Sequence, residues 1–458
     1  MTTQQANPLK GKKHLHFIGI GGSGMFPLVQ ILHSQGYFIT GSDNNESDIL
    51  KLVRGLGIEV AMGQRAENIA GADLIVYTAA IMNDNPELIA AKASGVPLME
   101  RADLLGLVTG WYDNAICISG THGKTTTTAM LTQIMMDNGK DPTAVIGGKL
   151  KRIGGYGRVG QSEVMVCESC EFCDHFLKLH PDIAVILNVD EDHLDYFKNL
   201  ENIIASFRKF AGMATKAVLI NGDDVNSRKA VAGLETEKPV LTFGLSEQNT
   251  YYPAQITSLG GTKQSFVLMK QGEKLADITL NIPGMHNVLD AVAACAAALI
   301  AGVPAEGLAA PLADFYGAGR RFEVLGEVGG VTIMDDYAHH PAELRVTLEA
   351  AKKLPFQRVW AVFQPFTYSR TKLLFNDFVE VLQIADRVVL SEIMGSREKN
   401  TYNIYSKDLC EQIPGSVWFN TFEEIKDYVL ANAEPGDMVI TLGCGDIYKA
   451  AKLMLGIQ

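Results

Sequence analysis

The sequence is short of cysteine, of tryptophan and of positive charge, and it has no long uncharged apolar run. Seven cysteines in 458 residues are too few for a disulfide scaffold and fit a reducing, cytoplasmic compartment. Forty Lys and Arg against 52 Asp and Glu leave a net charge of −12. That balance argues against general nucleic-acid binding and against attraction to an anionic membrane. The longest uncharged apolar stretch, Ala291 to Ala305, is too short and too alanine-rich to span a bilayer. The first residues, Met1 to Pro8, have no apolar core and do not read as a signal peptide. What remains is an ordinary globular composition, 47% apolar and 20% charged, in a chain too long for one core. About three domains are expected.

The most informative stretch runs from Ser119 to Met130, Ser-Gly-Thr-His-Gly-Lys-Thr-Thr-Thr-Thr-Ala-Met. An apolar run, Ala115 to Ile118, precedes it and reads as a buried strand; Ala129 to Met136 reads as a helix. A glycine turn between strand and helix that ends in Gly-Lys-Thr is a phosphate cradle. Gly120 and Gly123 let backbone N–H groups face an anion, Lys124 reaches the outer phosphates, and the Thr125 hydroxyl can hold Mg²⁺. Ile118 stands where the first glycine of the usual loop would be.

A second strand–turn–helix lies near the start. Gly19, Gly21 and Gly24 follow the Gly-x-Gly-x-x-Gly pattern, and Asp43 closes the next strand about 20 residues on, where an acid suits a ribose hydroxyl. On the residues alone this is a nucleotide-diphosphate site, with NAD the default. Alternating strands and helices then imply a doubly wound parallel sheet, ending near Gly106–Trp111.

Two later strands end in groups that a phosphate loop needs beside it. One is Glu163 to Glu168; the other is Ile183 to Val189, followed by Asp190, Glu191, Asp192, His193 and Asp195. Strand C-terminal ends gather at one edge of a parallel sheet, so Glu168 and His193 are candidate Mg²⁺ ligands. From Val240 to Ile282 short alternating strands with glycine turns suggest an antiparallel flap. His286 and Asn287 open the next helix, either as base-reading groups or with Asn287 as a plain N-cap. A third α/β segment begins at Gly317-Ala-Gly-Arg-Arg-Phe and carries Asp335-Asp-Tyr-Ala-His-His-Pro at a strand end. Cys167, Cys170 and Cys173, with His175 near, have the spacing of metal ligands but no matched second pair, and read as free thiols. The segments are 1–108, 109–317 and 318–458.

These motifs in combination resemble the Mur ligase family. The shared stretches are Gly19-Ile-Gly-Gly-Ser-Gly-Met, Gly41-Ser-Asp, Gly120-Thr-His-Gly-Lys-Thr-Thr-Thr-Thr, Asn188-x-x-x-Asp-His-x-Asp, His286-Asn287, Gly319-Arg-Arg-Phe and Asp335-Asp-Tyr-x-His-His-Pro. The resemblance implies an α/β fold of three domains: an N-terminal Rossmann-like one, a central phosphate-loop ATPase with a small antiparallel flap, and a C-terminal Rossmann-like one that closes over the site.

It also turns the first glycine turn from an NAD site into a UDP-sugar site of Gly19, Gly21, Gly22, Ser23, Gly24, Met25, Asp43 and Thr78. For ATP it implies Gly120, Thr121, His122, Gly123, Lys124, Thr125 and Thr126, with His286, Asn287 and Asp290 toward adenine and Arg321 and Asp336 closing over the nucleotide. Tyr337, His339 and Arg370 would receive the amino acid. Thr125, Glu168 and His193 would hold Mg²⁺, and Lys124, Glu168, His193, His339 and Arg370 would carry catalysis.

The implied reaction phosphorylates the lactyl carboxylate of UDP-N-acetylmuramate with ATP. L-alanine then attacks the acyl phosphate, in a cytoplasmic monomer or weak homodimer without nucleic-acid or membrane partners. Three positions depart from the family pattern. Phe207 replaces a lysine that some members carbamylate, Phe366 and Thr367 replace a frequent His and an occasional Arg, and Asp290 replaces an adenine-side Asn. The alternatives are a family member that recycles murein tripeptide onto the same UDP-sugar, a UDP-sugar-binding regulator without catalysis, and an NAD-dependent dehydrogenase. The last leaves the phosphate loop without a purpose.

Overall fold

The computed structural model describes residues 8–396 and 398–457; residues 1–7, and with them most of the Met1–Pro8 reading, lie outside the described residues, as does the Asp195 side chain. Among the described residues no helix is long and apolar enough to cross a membrane. Contacts divide the chain into two units. The first holds residues up to 255, 266–278 and 289–313; the second holds 256–265, 279–288 and 314–458.

The first unit contains one five-stranded parallel sheet and a second, mainly parallel sheet with an antiparallel pair, Thr143–Leu150 with Gly155–Arg158, at one edge. Five strands, β1 (His14–Ile18), β2 (Phe38–Asp43), β3 (Glu59–Met62), β4 (Leu74–Tyr77) and β5 (Leu98–Glu100), lie in the order β3-β2-β1-β4-β5. The order reverses at β1, so the turn after β1 sits at the switch point where such sheets bind ligands.

The next sheet is built on β6 (Asn114–Ser119), with β7 (Thr143–Leu150), β8 (Gly155–Arg158), β9 (Val164–Glu168), β10 (Ile183–Ile186), β11 (Ala217–Asn221) and β12 (Val240–Phe243). β6 pairs in parallel with β9 on one side and β10 on the other. β6 and β10 are buried almost throughout, as continuous apolar runs must be when both sheet faces are covered. The helix Lys124–Asp137 after β6 is buried from Thr125 to Met135. Its four consecutive threonines are accommodated partly because Thr128 donates to Lys124 O and Thr132 to Thr128 O, each at 2.7 Å.

The stretch 240–282, expected as a small antiparallel flap on the central domain, differs in detail at its start. Its first strand, β12, is a parallel member of the sheet beside β11. β13 (Tyr251–Gly260) joins it through Phe243 and Tyr251, and β14 (Lys263–Lys270) and β15 (Glu273–Leu280) follow as long strands joined by two-residue turns. These strands are half-exposed and alternating, so the sequence marks them as strands without marking which sheet they extend.

The second unit is organised around six strands, β16 (Glu323–Val328), β17 (Val331–Asp336), β18 (Val359–Phe363), β19 (Arg387–Ser391), β20 (Val417–Phe419) and β21 (Met438–Leu442), in the order β16-β17-β21-β18-β19-β20. All neighbours are parallel except the edge hairpin β16–β17. Its core lies on both faces of the sheet, around Phe363 and Phe378 on one and Trp360 and Ile425 on the other.

Candidate active site

Register places the phosphate-loop residues. Ile118 on β6 is opposite Glu168 on β9, and Ser119 is opposite Ile186 on β10. The loop after β6 therefore emerges between Glu168 and the segment Leu187–Asp190. Asn188 clamps it: His122 N donates to Asn188 Oδ1 at 2.8 Å, Asn188 Nδ2 donates to His122 O at 3.1 Å, and Thr121 N donates to Asn188 O at 3.1 Å. Asp190 N donates to Thr121 Oγ1 at 2.9 Å. Gly120 has φ +144° and lies so close to Leu187 that a Cβ would come within 2.9 Å of it. Gly123, the N-cap of the helix, has φ +84°, and a Cβ there would meet Asp290 Oδ1 at 2.5 Å. Asp290 thus stands against the loop itself.

Lys124 is turned onto its own loop. Its ammonium donates to Gly120 O, to Thr121 O at 3.0 Å and to the Glu171 carboxylate at 2.9 and 3.2 Å. Burial opposes the Lys124 charge, but Glu171, Cys170 and Glu168 together outweigh it and hold the ammonium above the ordinary lysine value. Thr125 Oγ1 donates to Glu168 Oε1 at 3.0 Å, and Gly147 N donates to Glu168 Oε2 at 2.7 Å. Thr126 is buried in the first turn.

His193 groups with acids other than Glu168. It has φ +51°, packs against Phe172 in a tilted ring pair with centroids 4.7 Å apart, and groups with Asp192 and Glu171, whose ligand atoms with its own all lie within 4.8 Å. Among the described residues that is the one such grouping of His, Cys, Asp or Glu. Sequence reasoning missed Glu171; its signal was available, a second acid three residues beyond Glu168. Of the three cysteines, Cys167 is buried on β9 opposite Cys117, and burial, then Glu171, pushes the Cys170 thiol up to about 11.

The first glycine turn is braced differently. Gly19 N and Ile20 N donate to Ser42 O at 2.9 and 3.0 Å, and Gly21 N donates to Asp43 Oδ2 at 2.9 Å. Asp43 Oδ1 also accepts from Asn45 N at 3.1 Å. Thr78 Cγ2 lies beside Gly19, and Arg101 beside Gly24. Gly22 and Ser23 occupy the turn before the helix Phe26–Ser34, and the Met25 side chain points into the core with 1% exposure.

The second unit gathers its own polar cluster at the ends of β17, β18 and β21. Arg320, with φ +61°, donates to Asp335 Oδ2 at 2.8 Å, to Gly445 O at 3.0 Å and to Gly443 O at 2.5 Å. Asp336 accepts from Phe322 N at 2.7 Å and Ala338 N at 2.8 Å. Burial pushes Asp336 up to about 6, against the pull of Arg321 and these two N–H groups. The Arg321 guanidinium lies over the Tyr337 ring at 4.9 Å. His339 Nδ1 is 3.1 Å from Tyr337 O and 3.2 Å from Glu343. His339 meets Phe366 edge-on, and Arg370 stands on the short helix Tyr368–Leu373 that follows. Asn287 is buried and donates to Pro283 O at 2.6 Å, while the neighbouring His286 is exposed. Arg320 was also missed: two of its partners, the carbonyls of Gly443 and Gly445, lie more than 100 residues away, and no local pattern announces them.

Three family models match the chain. The Mur ligase family catalytic domain covers residues 14–110, the Mur ligase middle domain 118–298 and the Mur ligase glutamate ligase domain 320–445. A UDP-N-acetylmuramate–L-alanine ligase of Agathobacter rectalis is 46% identical over 449 residues, covering 96% of this chain and 97% of the relative. A solved UDP-N-acetylmuramate-alanine ligase of Thermotoga maritima superposes with a TM-score of 0.84 at 26% identity, over 97% of this chain and 98% of that one. A murein peptide ligase of Psychrobacter arcticus shares the fold, with a TM-score of 0.75 at 23% identity over 97% and 98% of the two chains. Matched by three family models in succession and by full-length relatives, this chain belongs to the Mur ligase family.

Proposed function

We propose that this protein joins L-alanine to the lactyl carboxylate of UDP-N-acetylmuramate at the expense of ATP, in the synthesis of peptidoglycan precursors. The observation that carries the reading is the Lys124–Thr125–Glu168 arrangement on the glycine loop, in a chain 46% identical along its length to a ligase of that name. The domains are 1–108 for the UDP-sugar, 109–317 for ATP and 318–458 for closure, and the compartment is cytoplasmic.

The first step brings an anionic carboxylate against a polyanionic triphosphate, so cations aimed at the transferring group are the main device. Lys124 and the N-terminus of the helix that it opens supply positive potential at the loop. Thr125 with Glu168 on one side, and Asp192 and Glu171 on the other, offer the oxygen donors that suit Mg²⁺, with the His193 imidazole beside the second set. A bound Mg²⁺ screens phosphate charge and fixes phosphate orientation.

The carboxylate oxygen bonds to the γ-phosphorus as the bond to ADP breaks. The L-alanine amine then adds to the acyl carbon, and phosphate leaves with the oxygen that had been the carboxylate's. His339, Tyr337 and Arg370 are the residues proposed to hold L-alanine, with Arg370 facing its carboxylate. Arg321, Asp336, His286, Asn287 and Asp290 are proposed for the nucleotide. Gly19, Gly21, Gly22, Ser23, Gly24, the Met25 backbone, Asp43 and Thr78 are proposed for the sugar nucleotide. Closure of the C-terminal domain would exclude water from the acyl phosphate.

The test is phosphate release from ATP and Mg²⁺ with UDP-N-acetylmuramate and a panel of amino acids and peptides. Release requiring both the sugar nucleotide and L-alanine is expected. Release only with murein tripeptide would move the activity to the recycling reaction.

A further inference from the structure

Lys124 has three ammonium protons, and in this structure each has an acceptor: Gly120 O, Thr121 O and the Glu171 carboxylate. Two of these acceptors belong to the phosphate loop, whose backbone Asn188 fixes at Thr121 and His122. The third stands on a separate segment. A triphosphate oxygen that contacts Lys124 therefore competes with Glu171 rather than with the loop. Glu171 is only 3% exposed, so a carboxylate leaving Lys124 without another cation would be buried and uncompensated.

A destination lies beside it. Asp192 and His193 each present a ligand atom within 4.8 Å of a Glu171 oxygen. His193 is fixed by its left-handed backbone and by the ring of Phe172, the residue next to Glu171; Asp192 accepts from His193 N at 2.7 Å.

We propose that Glu171 is a positioning residue that exchanges partners: it holds Lys124 in the nucleotide-free protein and turns to a divalent ion at Asp192 and His193 when a triphosphate takes the ammonium. One side chain then couples metal binding to triphosphate binding. The proposal rests on the reading of this loop as an ATP site.

The experiment measures adenylyl imidodiphosphate binding to the full chain by calorimetry, in Mg²⁺ and in chelator. Glu171→Gln keeps the shape and removes the competing charge. It should bind the analogue about tenfold more tightly than the unaltered protein in chelator, and gain less from Mg²⁺. Asp192→Asn removes a charge from the same cluster without touching Lys124; it should reduce the Mg²⁺ gain and leave metal-free affinity within about twofold. Glu171→Asp, too short to reach the ammonium, should also bind more tightly in chelator and serves if Glu171→Gln does not fold. Equal metal-free affinity in the unaltered protein and both Glu171 variants overturns the proposal, as does an equal rise in Asp192→Asn. No binding to the unaltered protein in Mg²⁺ would instead overturn the ATP reading of the loop, and the proposal with it.

Discussion

The two glycine turns of the first unit share a backbone plan and differ in what braces them. After β1, a carboxylate does the bracing: Asp43 accepts from Gly21 N and Asn45 N. After β6, a neutral amide does it: Asn188 accepts from His122 N and donates back to His122 O. The β1 turn leads into a helix that begins Phe26-Pro27 with no cation, whereas the β6 turn leads into Lys124-Thr125. A neutral brace adds no further negative charge to a loop meant for a triphosphate. A turn serving a diphosphate that is already attached to a sugar can tolerate an anion that also faces hydroxyls. A glycine turn thus says little by itself about ligand charge; the residue that braces it says more.

The sharpest way to break the comparison is to remove the cation from one side. Lys124→Ala should lower turnover by about a thousandfold or more while leaving UDP-N-acetylmuramate affinity unchanged, measured by steady-state kinetics and calorimetry. Loss of sugar-nucleotide binding in a folded variant would show that the two turns do not serve separate ligands.

A third brace extends the comparison to the second unit, where buried Asp336 accepts from Phe322 N and Ala338 N. Its value, raised to about 6 by burial, lies above that of an unfolded aspartate. A raised folded value means that Asp336 contributes most below the unfolded value, and that the contribution is lost as pH rises toward 6. Relative to Asp336→Asn, the unaltered protein should therefore lose about 2 kcal/mol of stability between pH 4.5 and pH 7. Denaturant unfolding of both proteins across that range checks it, and a flat difference would remove Asp336 from the comparison.

Exchanging the type of brace should give a smaller effect. Asn188→Asp puts a negative charge against the phosphate loop and breaks the donation to His122 O. ATP-analogue affinity should fall about tenfold with sugar-nucleotide affinity unchanged, as calorimetry would show. The smallest effect is expected at the other turn. Asp43→Ala leaves the Gly21 and Asn45 N–H groups without their acceptor and should cost about 1 kcal/mol of stability. It should also weaken UDP-N-acetylmuramate binding severalfold and leave ATP-analogue binding alone, read by thermal unfolding and titration.

Much of this was legible in the chain. Buried parallel strands are continuous apolar runs, so β6, β9 and β10 could be read directly, and sheet geometry then places Glu168 and the Asp190–His193 stretch at the loop's edge. Thr125 and Glu168 do meet, at 3.0 Å. What could not be read depends on tertiary approach. Glu171 faces Lys124 only because the segment after β9 folds back, with Cys173 and Asp174 at positive φ. Arg320 binds carbonyls of Gly443 and Gly445, a pairing no local spacing encodes. β13 to β15 read as strands, but half-buried alternation does not say which sheet they extend.

The most direct test of the central claim follows an atom. UDP-N-acetylmuramate carrying heavy oxygen in its lactyl carboxylate is turned over with ATP, Mg²⁺ and L-alanine, and the released phosphate is analysed by mass spectrometry. The account predicts that each phosphate carries one heavy oxygen, because the carboxylate is phosphorylated before the amine attacks. Phosphate released without heavy oxygen, while the amide product forms, would contradict it.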